Sequence, residues 1–90
     1  MYTHIGDDVL VRTKSIIGIF DLESATIEKA TRDFLAKAEK ENKVTYTSPR
    51  MPKCIVLADG TAGVDVYISS NTIETLRERL AIETSQYTED

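Results

Sequence analysis

The stretch Cys54-Ile55-Val56-Leu57-Ala58-Asp59-Gly60-Thr61-Ala62-Gly63-Val64-Asp65-Val66-Tyr67-Ile68 decides the fold. Its first five residues are an unbroken apolar run of strand length, the pattern of a strand buried on both faces. Val64, Val66 and Ile68 alternate with Asp65 and Tyr67, the period-two pattern of a half-exposed strand. Asp59-Gly60 marks a turn within the connection 59–63, so the two runs form an antiparallel hairpin.

The flanks of this hairpin are punctuated. Ser48-Pro49-Arg50-Met51-Pro52 contains two prolines and must be a loop, because proline fixes φ and lacks the N–H that a ladder needs. Before it, residues 44–47 form an extended segment. After the hairpin, Asn71 with Glu74 three residues later resembles a capping box, and Ile73, Leu76 and Leu80 form the stripe of a short helix reaching about Ile82.

Further upstream, Ser24 is a candidate N-cap, and Ile27, Ala30, Phe34, Leu35 and Ala38 share one face of a helix over about 25–41. The opposite face offers Glu28→Arg32 and Asp33→Lys37 pairs at i,i+4 spacing, and Asn42 can end the helix in the left-handed conformation. The opening is all β. Residues 2–5 and 9–13 flank the turn-forming Gly6-Asp7-Asp8, and Ile16 to Phe20 make a dense apolar strand in which Gly18 suits a bulge. The expected architecture is α+β, small antiparallel hairpins and a sheet with two helices in the order β-β-β-α-β-β-α. It forms one domain over residues 1–83, followed by a flexible acidic tail over 84–90.

Ninety residues with 41% hydrophobic and 29% charged content describe an ordinary globular domain rather than a disordered chain. A chain of this size buries only about 60–65% of its unfolded surface, so covering a further apolar face with another copy is a natural source of stability. No apolar run approaches the roughly 18–20 residues that span a bilayer, and the first residues lack the pattern of a secretory signal, which predicts a cytoplasmic protein without membrane contact.

The residues that could carry chemistry are few. Cys54 is the single cysteine, sits among Ile55, Val56 and Leu57, and reads as a buried core residue rather than a reactive thiol. His4 is the single histidine, so nucleophile–base arrangements would all depend on it, and a strand or surface role is the simpler reading. Asp7 and Asp8 beside it suit turn chemistry better than metal ligation, since the spacing matches no metal signature. The four glycines form no phosphate-binding loop, and Asp65, Glu74 and Glu78 suit solvated faces. These observations predict a non-enzyme with no cofactor and no metal.

Charge is the informative feature. The net charge is −4, with 11 Lys and Arg against 15 Asp and Glu, yet residues 9–20 and 42–58 contain no acid at all. The first segment carries Arg12 and Lys14, the second Lys43, Arg50 and Lys53. If the segments converge on one edge of the sheet, Arg12, Lys14, Arg50 and Lys53 make a patch able to hold phosphate oxygens, as DNA-binding residues. The bland alternative is a set of edge charges that discourage aggregation. Arg50 is the best candidate for a bidentate contact, because its guanidinium fork matches a phosphate and its loop is stiffened by proline. One copy with four such charges binds DNA weakly; a ring or array repeats the patch and gains by effective concentration.

Three stretches resemble a known family: Tyr2-Thr3-His4-Ile5-Gly6-Asp7-Asp8-Val9-Leu10-Val11, Ile16-Ile17-Gly18-Ile19-Phe20-Asp21 and Pro52-Lys53-Cys54-Ile55-Val56-Leu57. They look like the bacterial extracellular matrix regulatory proteins, specifically the RemB-like branch, over roughly residues 1–80. The related RemA branch implies a DNA-binding transcriptional regulator that assembles into ring-shaped homo-oligomers and activates biofilm-matrix genes. That branch carries adjacent arginines in the loop before the central strand, where this chain keeps only Arg50. Another of its basic residues falls at Ser15, beside Lys14. The resemblance therefore implies double-stranded DNA as a partner. The alternative is an interaction or scaffold module that does not bind DNA and assembles with a related regulator protein.

Overall fold

The computed structural model describes the backbone of residues 1–88 and the side chains of residues 1–81. The chain runs β1 (Tyr2–His4), β2 (Leu10–Arg12), a 3-10 turn (Thr13–Ser15), β3 (Ile16–Asp21), α1 (Leu22–Ala25), α2 (Lys29–Lys40), β4 (Val44–Tyr46), β5 (Cys54–Gly60), β6 (Gly63–Ser69) and α3 (Ile73–Thr88). The class is α+β, as expected, with strands in two sheets. β1 and β2 form an antiparallel hairpin, and a four-stranded sheet has the order β3-β5-β6-β4.

The central hairpin forms where the sequence places it. Its register runs from Cys54↔Ser69 to Gly60↔Gly63, so the strands continue through Asp59-Gly60 and the turn is Thr61-Ala62 alone. Gly63, at φ 116°, takes a conformation that favours glycine. β3 pairs antiparallel with β5 and carries a register shift between Ile16 and Gly18, the bulge expected there. β4 pairs parallel with β6 and forms the far edge.

Period two divides the core into two layers. Cys54, Val56 and Ala58 face the β1–β2 hairpin and α3, where they pack with Ile5, Val11 and Leu76. Ile55, Val66 and Ile68 face the opposite way, against Ala38 and the half-buried Leu22, Leu35 and Leu57. The sheet is thus covered by α2 on one face and by the hairpin with α3 on the other. Leu76 and Val56 are fully buried, and each such side chain contributes about 1.5–3 kcal/mol of transfer free energy.

The helices depart from expectation in their ends. The helix expected over 25–41 starts later, as α2 (Lys29–Lys40), and a separate short α1 (Leu22–Ala25) precedes it, meeting the expected range only at Ala25. Asp21, not Ser24, is the first N-cap, and its Oδ1 accepts from the backbone N–H groups of Glu23 at 3.0 Å and Ser24 at 3.3 Å. Thr26 closes α1 by donating to the Leu22 carbonyl at 2.9 Å, and Arg32 donates to the carbonyls of Thr26 and Ile27, bracing the break. Arg32 is therefore occupied by backbone rather than by Glu28, and Asp33 pairs with Lys29 at 2.9 Å instead of Lys37. Asn42 ends this region at φ 58°, as its amide side chain permits.

At α3 the cap lies one residue later than the expected Asn71. Thr72 Oγ1 accepts from the Thr75 N–H at 3.2 Å, and α3 passes the expected end at Ile82 to reach Thr88. The tail expected over 84–90 overlaps the end of this helix, and its last residues, Glu89 and Asp90, lie outside the described residues. Among the described residues no helix is long and apolar enough to cross a membrane.

Candidate nucleic-acid interface

The β1–β2 turn docks on the sheet end formed by Cys54 and Ser69. Ser69 Oγ donates to the Ile5 carbonyl at 2.6 Å, and Ile5 N–H donates to the Val9 carbonyl at 3.0 Å. Gly6 then passes so close to buried Thr47 that a β-carbon there would lie 2.3 Å from the threonine Cβ and Oγ1. Only glycine lets the hairpin turn sit this near the start of the proline loop. Thr47 itself is held to β6, since its N–H and hydroxyl both donate to the Ile68 carbonyl.

Arg50 projects from that loop, shaped by a backbone N–H bond from Arg50 to Ser48 Oγ at 3.1 Å. Its Nη2 forms an ion pair with Asp7 Oδ1 in the hairpin turn. The turn is fixed in its own right: His4 Nε2 donates to the Asp7 carbonyl at 2.7 Å, and Arg79 Nη1 from α3 donates to the His4 carbonyl at 2.9 Å. Arg79 also reaches Asn71 Oδ1 at 3.4 Å. Arg50, Asp7, His4 and Arg79 therefore form one bonded chain across three elements.

Lys53 lies at the same end of the sheet. Its N–H donates to the Ser69 carbonyl and its own carbonyl accepts from the Leu22 N–H, which sets it at the mouth of a cleft shared with Asp21, Glu23 and Glu74. Three carboxylates at that cleft weaken the potential Lys53 presents to an anion. Arg12 and Lys14 lie at the other end. Arg12 pairs with Tyr2 at the open end of the hairpin, and Lys14 precedes Ile16, whose partner is Ala58. From Cys54 to Ala58 is four residues along β5, roughly 13 Å by strand rise.

The four expected basic residues thus gather as two pairs, one at each end of the sheet. Lys43, the fifth of the acid-free segments, is tied down by the Ala62 carbonyl at 2.8 Å and by Glu41 at 3.5 Å. Arg79 was missed by sequence reasoning, because it sits on an acidic helix 75 residues from His4 and only the docking of α3 brings the two together.

Cys54 is buried, and its thiol donates to the Asn71 carbonyl at 3.2 Å. Burial pushes its pKa above the ordinary thiol value, with the Asp21 charge acting in the same direction and the Ser69 hydrogen bond opposing. A thiol held protonated in this way is a core group rather than a nucleophile. His4 and Asp7 meet through the Asp7 backbone carbonyl, while the carboxylate of Asp7 is engaged by Arg50.

A family model described as extracellular matrix regulatory protein A-like matches residues 3–80, from the first strand into α3. Extracellular matrix regulatory protein B of Bacillus subtilis (strain 168) is 35% identical over 79 residues, which cover 88% of this chain and 89% of that protein.

Proposed function

The chain belongs to the extracellular matrix regulatory protein A-like family, and from that premise we propose that it is a non-enzymatic, oligomeric, cytoplasmic regulator that binds DNA and controls transcription of extracellular-matrix genes. The observation that carries the DNA contact is the presentation of Arg50. It stands on a loop anchored by Thr47 and Ser48, its side chain is 66% exposed, and a guanidinium so placed can fork onto a phosphate.

Lys53 adds a second cation at the same end, and Arg12 with Lys14 add two at the other. The two places stand at opposite ends of β5, so a duplex would have to run along the sheet to engage both. The acidic remainder of the chain keeps the affinity of a single copy low, and assembly compensates by repeating the contacts. Exposed Phe20, Ile27 and Phe34 on the α1–α2 side leave apolar surface that assembly would cover.

A second reading has its own support in the Arg50–Asp7 pair: a cation already matched by a carboxylate suits a module that assembles with a related regulator without contacting DNA. Light scattering of the purified chain, alone and with a long duplex, separates the two. The DNA-binding reading expects a particle several times the mass of one chain that grows further when duplex is added. A mass unchanged by duplex at low salt favours the second reading, and a monomer contradicts assembly in both.

A further inference from the structure

We propose that Asp7 sets the affinity of the Arg50 site by acting as a built-in competitor for phosphate, an inference that rests on the DNA-contact reading above. The carboxylate and a phosphate oxygen are the same kind of partner for a guanidinium: an anionic acceptor of charge-assisted hydrogen bonds. Asp7 Oδ1 occupies Nη2 of Arg50, and the remaining N–H donors of the fork lie on a side chain that is two-thirds exposed. A phosphate arriving at Arg50 must share the guanidinium with Asp7 or displace it, and it must do so against the negative charge of that carboxylate.

The carboxylate does not sit there by the chance of a floppy turn. Gly6 against Thr47, His4 Nε2 on the Asp7 carbonyl, and Arg79 on the His4 carbonyl hold the turn over the proline loop. With the backbone fixed from three sides, losing phosphate does not require the turn to refold before Asp7 recaptures Arg50. The pair is exposed, and exposed pairs are worth little, so a strong polyanion still wins. The consequence is selectivity for arrayed phosphates. A lone phosphate gains too little to displace Asp7, while a duplex engaging Arg50 on several copies of an assembly adds the gains together.

The test is a two-by-two set of full-length proteins, wild type, Asp7→Asn, Arg50→Ala and the double variant, titrated onto a fluorescently labelled duplex at fixed salt. Asp8→Asn serves as a control that removes the same charge from the same turn without touching the ion pair. Asp7→Ser is carried alongside as a second substitution that suits a turn, and circular dichroism and solution mass check that each variant keeps its fold and assembly. Asp7→Asn is expected to tighten duplex binding roughly two- to five-fold per site, more than Asp8→Asn, and the gain is expected to vanish in the Arg50→Ala background.

An unchanged affinity in Asp7→Asn, or an equal gain with and without Arg50, overturns the role of Asp7. If Arg50→Ala still weakens binding in that case, the DNA-contact reading survives it. Absence of duplex binding by both wild type and Asp7→Asn at low salt overturns the two together.

Discussion

At the scale of single residues, the side chains that matter most are those whose surroundings differ from what their neighbours in sequence announce. Cys54 is the legible case. Three apolar residues follow it, the run places it in a central strand, and it is fully buried with its thiol hydrogen-bonded to Asn71. Because burial raises its pKa above the ordinary 9.0, the folded state holds the thiol proton more tightly than the unfolded chain does. That contribution to stability is complete below about pH 9 and is lost as pH rises past the unfolded thiol's pKa. Urea unfolding at about pH 8 and about pH 10 is therefore expected to show a larger drop for the wild type than for Cys54→Ala. Tyr67, also raised by burial and by Asp65, adds a decline at still higher pH that both proteins share. Equal drops in the two proteins would show that the thiol titrates alike in the folded and unfolded chain. Arg50 is the illegible case. Its charge and its loop are plain from sequence, but its partner Asp7 lies 43 residues away and no local pattern predicts the meeting.

At the scale of elements, hydrophobic period located the strands, the body of α2 and the start of α3 but not α1, and competition among capping groups decided the helix ends. The central hairpin, the first hairpin and the β3 bulge all follow from residues close in sequence. The expected helix starts late, at Lys29, because Asp21, which ends β3, caps a separate turn upstream, and Thr26 with Arg32 then satisfies the carbonyls freed between the two. β4 was legible only as an extended piece; its parallel pairing with β6 depends on the crossover through the proline loop, which sequence spacing does not encode. At α3 two polar residues in succession could cap. Asn71 is drawn away, since its N–H donates to Ser69 Oγ and its side chain accepts from Arg79, which leaves Thr72 to accept from Thr75. Thr72→Ala is accordingly expected to lower unfolding stability by about 1 kcal/mol in a denaturant titration. A change below about 0.3 kcal/mol would mean that the hydroxyl bond is not the effective cap.

At the scale of the whole molecule, the two acid-free segments remain the strongest signal, and the fold distributes them differently from a single patch. The antiparallel run of β3 and β5 carries residues 12–14 to one end of the sheet and residues 50–53 to the other, because the two segments enter opposite ends of neighbouring strands. A single copy therefore offers two small basic spots on an acidic body, one of them shared with Asp7. The count of cations was legible in sequence, whereas their separation depends on strand direction and the attachment of Arg79 on the docking of α3. On the proposed DNA-contact reading, such a molecule would gain affinity by repetition, and that affinity would be electrostatic in kind. The most direct test is a titration of a long labelled duplex with wild type and Arg50→Ala across a range of salt. Wild-type binding is expected to weaken steeply and linearly in log–log form as salt rises, with a shallower slope and lower affinity for Arg50→Ala. Overlapping curves for the two proteins, or no wild-type binding at the lowest salt by a folded and assembled sample, would contradict the DNA-contact reading.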